Sequence, residues 1–199
     1  MKNKIFIILF CLLYFDVSYS ENLSIEAKNI TIDKSKNLTI FKNDVAVRTD
    51  DGYIINSQYG ELNKDSGILI LKENIKGRDN KNNIIETDFA EYSEKSKIFK
   101  TVGPTTIYTS EGYTIEGKNI FFHNDKKIIS SNENALITDQ ENNQISLEKF
   151  NYEINKDIFK SVGNVKIQDK NQNTYEFSQI YIDTKKREIL GSDSKLYIN

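Results

Sequence analysis

The sequence predicts an all-β chain, a folded-over antiparallel roll built as a V-shaped stack of about 12 strands from six 30-residue units. Three observations carry this. A unit start recurs at Ile25, Ile55, Ile85, Ile115, Ile145 and Tyr175 with no drift in spacing. Fixed self-similarity of this length marks a stack of supersecondary units. Each unit then holds two alternating apolar segments and two polar turns, with no sustained helical period. The second segment usually carries Gly, Asn or Pro at its middle, as a bent or bulged strand does.

Residues 1–20 stand outside this pattern. Lys2 and Lys4 precede an apolar run of about 11 residues, Ile5 to Phe15, which Asp16 ends. The run is short of the roughly 20 residues a membrane-spanning helix needs. Ser18 and Ser20 supply small residues before Glu21, so residues 1–20 read as a signal peptide and 21–199 as one domain. An uncleaved short anchor is the alternative.

The first segments of the units alternate. They run Ile25, Ala27, Ile30, Ile32; Ile85, Thr87, Ala90, Tyr92; Ile145, Leu147, Phe150, Tyr152; and Tyr175, Phe177, Ile180, Ile182. Parity shifts by one in the middle of each, as a β-bulge requires. Polar turns follow, such as Asp33 to Asn37 and Asn63 to Gly67. The second segments break at Asn43-Asp44, Asn74, Gly103-Pro104, Asn134 and Gly163-Asn164. A second turn closes each unit, for example Asp50-Asp51-Gly52 and Ser110-Glu111-Gly112.

Short connections favour antiparallel neighbours. A flat sheet this wide would leave one apolar face wet, so it must fold over, and the mid-strand breaks supply the fold line. A parallel β-helix is the rival stack; two hairpin-like turns per unit favour the antiparallel one.

The charge balance excludes other classes. The chain has 27 basic and 29 acidic residues and a formal net charge of −2. Without Lys2, Lys4 and Asp16 it has 25 and 28, a net charge near −3. The charges are interspersed, which argues against nucleic acid as a partner. The one cysteine, Cys11, lies in the signal, so the exported domain has no disulfide and no thiol chemistry. His123 is the only histidine and is expected at a strand end or on the surface. No cluster supports catalysis, a metal or a cofactor; the chain does not read as an enzyme.

The unit grammar resembles the OstA-like domain of the lipopolysaccharide transport family. Its units run apolar-x-A-x-x-apolar-x-Y, a turn, then a segment ending G-N-V-x-apolar. Ile85 to Tyr92 with Gly103, and Ile145 to Tyr152 with Gly163-Asn164-Val165-Lys166-Ile167, match best. Gly77 departs, standing where an apolar residue is usual, and the sixth unit departs at Gly191-Ser192-Asp193. The resemblance covers essentially all of 21–199 and implies a β-jelly-roll. Among family members it is compatible with the free-standing periplasmic bridge protein or the N-terminal domain of the outer-membrane assembly protein. The inner-membrane member, which keeps an N-terminal anchor, fits if residues 5–15 are retained.

The resemblance implies a periplasmic, outer-membrane-directed protein that holds lipopolysaccharide acyl chains in an apolar groove. The expected lining is Ile32, Val45, Val47, Leu62, Ile75, Tyr92, Ile107, Ile120, Phe122, Ile137, Tyr152, Val165, Ile167 and Ile182. It also implies partners, other domains of the family, paired to the edge strands Leu23 to Ile32 and Ile189 to Ile198. The alternative is a structural or adhesive exported repeat protein with a closed core.

Overall fold

A computed structural model describes residues 23–197 except 51, 193 and 194; the expected signal peptide lies outside them. Those residues form an 18-stranded sheet without a helix. Six strands run unbroken through the fold line: β3 (Leu38–Arg48), β4 (Ile54–Asn63), β5 (Ile68–Arg78), β6 (Ile84–Ser93), β13 (Gln144–Glu153) and β14 (Ile158–Gln168). Six other passes are each split in two. They are β1 (Ser24–Glu26) with β2 (Asn29–Asp33), β7 (Ile98–Thr101) with β8 (Pro104–Tyr108), and β9 (Thr114–Lys118) with β10 (Phe121–His123). The others are β11 (Ile128–Ser131) with β12 (Ala135–Thr138), β15 (Thr174–Phe177) with β16 (Gln179–Asp183), and β17 (Glu188–Ser192) with β18 (Lys195–Tyr197). The 18 segments are thus twelve bent passes, as the repeat predicts. Each pass pairs antiparallel with the next, which excludes the parallel β-helix.

The fold line follows the predicted breaks. Register shifts between Lys42 and Val45, and between Lys72 and Ile75. The skipped residues Asn43, Asp44, Glu73 and Asn74 are left-handed, as are Gly103 and Gly163. Bulges also cross the first strands, between Asn56 and Tyr59 and between Leu147 and Lys149, which accounts for the parity shift.

Breaking a strand frees backbone groups, and buried hydroxyls take them up. Thr101 Oγ1 accepts from the Ile120 amide at 2.9 Å, and Ser161 Oγ from the Ile180 amide at 2.8 Å. Ser131 Oγ donates to the Lys118 carbonyl at 3.0 Å. The three are 30 residues apart and almost wholly buried.

Two arms leave the fold line, each ending in a column of turns. The column on arm I is made by Asp33 to Asn37 and its repeats, and that on arm II by Thr49 to Tyr53 and its repeats. Left-handed residues recur every 30 positions in both: Asn37, Gly67, Lys97, Lys127, Asp157 and Arg187 on arm I, and Gly52, Asn82, Gly112, Asn142 and Gln172 on arm II. On arm I each carbonyl accepts an amide from the next turn. Lys64, Glu94, Asn124, Ile154 and Thr184 donate to Asn37, Gly67, Lys97, Lys127 and Asp157 at 2.9–3.0 Å. On arm II the Asp79 carboxylate accepts from the Lys81 and Asn83 amides, and Asn83 Oδ1 accepts from the Ser110 amide of the next turn. Repeat-to-repeat hydrogen bonds therefore tie the edges of both arms as well as the sheet between them.

Candidate functional site: the interior between the arms

Side chains alternate across a strand, so each arm presents one face inward. On arm I the cross-strand partners form one continuous row: Ile32, Thr39, Leu62, Leu69, Tyr92, Phe99, Phe122, Ile129, Tyr152, Phe159, Ile182 and Ile189. On arm II the matching row is Ile25, Val47, Ile55, Gly77, Ile85, Ile107, Ile115, Ile137, Ile145, Ile167 and Tyr175. Nearer the fold line, large and small residues alternate. Phe41 pairs with Gly60 and Leu71 with Ala90, while Phe150 lies between Ser131 and Ser161. That alternation lets the arms close sharply at the fold line.

All fourteen expected lining residues face this interior, but their burial differs. Val45, Val47, Ile75, Tyr92, Ile107, Ile120, Ile137, Tyr152, Val165, Ile167 and Ile182 are buried, and Leu62 and Phe122 are half-buried. Ile32 is 60% exposed, because no described strand lies beyond β2. It belongs to an open end of the row, with Ile30 beside it.

The interior is not filled evenly. Towards the N-terminal end an apolar cavity of about 60 Å³ is lined by Val47, Ile55, Leu69, Gly77, Ile85, Tyr92, Phe99, Ile107 and Phe122 among others. Gly77 stands where other units place Val47, Ile107, Ile137 and Ile167, so its missing side chain leaves room there. In the middle, Tyr113, Ile137, Tyr152, Phe159 and Ile182 close around only about 10 Å³. Towards the C-terminal end a cavity of about 290 Å³ opens beside Tyr113, Ile145, Ile167, Ile182 and Ile189, with Glu111, Asp139, Glu141 and Asp169 at its rim.

Contacts between residues distant in sequence bridge the arm tips. Lys81 Nζ donates to the Ile154 carbonyl at 2.8 Å and lies 3.4 Å from Asp157 Oδ1. Lys127 Nζ lies 5.0 Å from the Tyr53 ring centroid, and Tyr53 meets Phe122 edge-on at 6.3 Å. Arg187 Nη2 donates to Gln140 Oε1 at 2.8 Å. None of these clasps is visible in sequence, since their partners lie 47 to 76 residues apart. Lys185, Lys186 and Arg187 form a turn from which Arg187 reaches across the seam.

Burial pushes the Tyr152 phenol from 10.0 up to about 12, opposed in part by its hydrogen bond with Thr184. The folded state therefore holds the Tyr152 proton where the unfolded chain has released it. Stability is full below pH 10 and falls as pH rises from 10 towards 12, by up to about 2–3 kcal/mol. Denaturant titrations across that window should show the decline, and Tyr152→Phe should shrink it, leaving the share of Tyr59, Tyr113 and Tyr175, whose phenols burial also raises.

His123 ends β10 and stacks on Phe121 at 6.4 Å, on the outward side of the strand. Among the described residues no three His, Cys, Asp or Glu side chains gather as a metal site would require.

Geometrically this is an antiparallel β-roll with a continuous apolar interior between its arms. The sequence pattern of the family described as lipopolysaccharide-assembly, LptC-related matches residues 5–134, which include the N-terminal apolar run and the first four units up to the fold-line break in the fourth. The chain belongs to that family, whose members are components of lipopolysaccharide transport. Among solved structures, LptH of Pseudomonas aeruginosa, the LptA-homologous periplasmic component of the lipopolysaccharide transport device, aligns at 10% identity over 90% of this chain and 96% of that chain, with a TM-score of 0.27. The TCP10 domain of Danio rerio CPAP, in complex with a STIL peptide, aligns at 8% identity over 89% and 98%, with a TM-score of 0.15. These scores are too low for either structure to inform the shape or function of this chain. No curated protein matches the sequence.

Proposed function

We propose that the chain works in the periplasm and relays lipopolysaccharide by holding its acyl chains between the two arms. The observation that carries this is the pair of inward rows facing each other across one seam along the stack. Family membership supplies the lipid, and residues 1–20 supply the export signal in this reading. The 60 Å³ cavity is far below the roughly 300–1,000 Å³ of ordinary ligand clefts, so the arms part when a chain enters. Each methylene that enters contributes on the order of 0.8 kcal/mol, without any polar contact.

The two ends fit a relay. Ile30 and Ile32 on β2, and Ile189 and Leu190 on β17, are exposed beside backbone edges that pair on one side only among the described residues. Such edges invite another strand. We assign them to neighbouring transport domains, which would carry one interior into the next and bring the lipid towards the outer membrane.

The filled middle of the interior favours a second reading, a closed structural repeat protein. A fluorescent acyl probe separates the two. Phe122→Asp puts a carboxylate at the half-buried rim of the cavity, where water can reach it, and should weaken probe binding at least about tenfold in chain that melts as a folded protein. Ile137→Asp is a poorer test, because Ile137 is 2% exposed and a buried unpaired carboxylate would unfold the chain. Wild-type chain that binds no probe, or folded Phe122→Asp that binds as well as wild type, would support the closed reading.

A further inference from the structure

We infer that the turn edge of arm I, with the aliphatic row behind it, is a docking surface for an anionic phospholipid membrane. The inference goes beyond the acyl-binding reading above and stands independently of it.

The charges are interspersed along the chain, but the fold sorts them. Each unit sends one turn to each arm, so a bias that recurs every 30 residues becomes a column of one sign. The six arm I turns, from 33–37 to 183–187, carry eleven basic and seven acidic residues. The described residues of the five arm II turns, from 49–53 to 169–173, carry two basic and six acidic. The columns therefore oppose each other, with net charges of +4 and −4. Every arm I turn exposes a lysine: Lys34, Lys64, Lys95, Lys126, Lys156 and Lys185. Three of the arm I carboxylates are occupied elsewhere. Asp33 and Asp183 accept amides of their own turns, and Asp157 faces Lys81 of arm II. Lys156 meets Glu153 at 2.6 Å in an exposed pair, which holds it only weakly. Turns of successive units lie two strand spacings apart, so the lysines recur about every 10 Å along an edge about 50 Å long.

An apolar row stands directly behind this column. Leu38, Ile68, Ile98, Ile128 and Ile158 each follow a turn and point outward, because the next residue of each strand belongs to the inward row. Ile68 is exposed and the other four are half-buried. Their cross-strand partners are Asn63, Ser93, His123, Glu153 and Asp183, so polar groups interrupt the row and it forms no second core. Lysine heads with aliphatic groups just behind them match the boundary between headgroups and acyl chains of a bilayer. None of these lysines or aliphatic residues lines any of the three cavities described above, so the edge suits an extended anionic surface rather than a small anion. The same surface repels the acidic column of arm II, which fixes the side of the roll that meets it.

The test uses the full chain with Cys11→Ser and one nitrobenzoxadiazole-labelled cysteine, from Ser96→Cys on arm I or Asn171→Cys on arm II, both exposed positions. Residues 1–20 are then identical in the two samples. On phosphatidylglycerol–phosphatidylcholine vesicles the label at position 96 should brighten and shift to the blue, and that at position 171 should not. Neither should respond to phosphatidylcholine alone. Raising salt from about 0.1 M to about 1 M cuts the screening length from about 10 Å to about 3 Å and should remove most of the response. Each basic residue near an anionic leaflet strengthens binding by roughly fivefold. Lys34→Gln/Lys64→Gln/Lys95→Gln/Lys126→Gln should therefore raise the vesicle concentration for half-response at least about thirtyfold, with melting temperature and acyl-probe affinity unchanged. Equal responses at the two positions, a response to neutral vesicles, or one that survives the four substitutions overturns the inference and leaves the acyl reading standing. The same response to soluble polyphosphate would assign a polyanion site. A response on concentrating the chain without vesicles would pair the basic edge with the acidic edge of a second copy. Either result overturns the membrane assignment.

Discussion

Phe150→Ala should lower the unfolding free energy by about 3–5 kcal/mol, the largest stability loss we expect from a single truncation in this chain. Phe150 is 2% exposed and stacks on Phe159 with centroids 5.2 Å apart. Its cross-strand neighbours are Ser131 and Ser161, whose hydroxyls are tied to backbone at the fold line. They cannot move in to fill the space, so most of the cavity left by the ring would persist. A domain of this length loses about 2–4 °C of Tm per kcal/mol, so thermal unfolding should shift down by roughly 6–20 °C. Phe121→Ala, which removes an outward-facing, half-buried ring on Lys100, should cost much less.

Gly77→Val should weaken acyl-probe binding by roughly 15- to 60-fold, the worth of two to three methylene contacts displaced from the interior. The new side chain points into the cavity, where a Cβ first meets Ile85 Cγ2 at 2.7 Å and next Ile55 Cγ1 at 3.7 Å. Ile85 Cγ2 is a branch methyl next to the backbone, so the Ile85 side chain must turn to admit the valine. Gly77 is not left-handed, so its backbone dihedrals allow the change. Crowding of this kind costs about 1–3 kcal/mol, and valine's strand preference over glycine offsets up to about 1 kcal/mol of it. The chain should therefore stay folded while the folded protein loses affinity, a combination that general unfolding cannot produce. Thermal melts and probe titrations on one preparation check both halves.

Much of the fold was legible because the repeat makes every unit report on the others. Strand parity, two turns per unit and the breaks at Asn43-Asp44, Gly103 and Gly163 follow from residue type and register alone. The family was legible for the same reason, from six degenerate units in phase. The interior was legible as a face: all fourteen expected residues point inward. It was not legible as a volume. Gly77 was readable as a departure from the pattern, but whether neighbours fill the space depends on how far the arms close. Ile32 carries the same alternation as Ile182, yet it ends exposed because burial at the last row depends on the neighbour beyond it. The clasps were hidden altogether. Lys81 and Lys127 read as ordinary turn lysines, and their partners are set by how arm I and arm II are offset along the stack.

Adjacent residues Phe121 and Phe122 on β10 give the most direct test of where the lipid lies. Phe122 faces the cavity, while Phe121 faces outward beside Lys100. A photo-crosslinking benzoylphenylalanine is placed at each position in turn, and the irradiated chain is probed for attached lipopolysaccharide. Acyl chains held between the arms predict a strong adduct at position 122 and little at 121. Equal adducts at both positions, or an adduct at 121 alone, would contradict an interior site and put the lipid on the outer face of the roll.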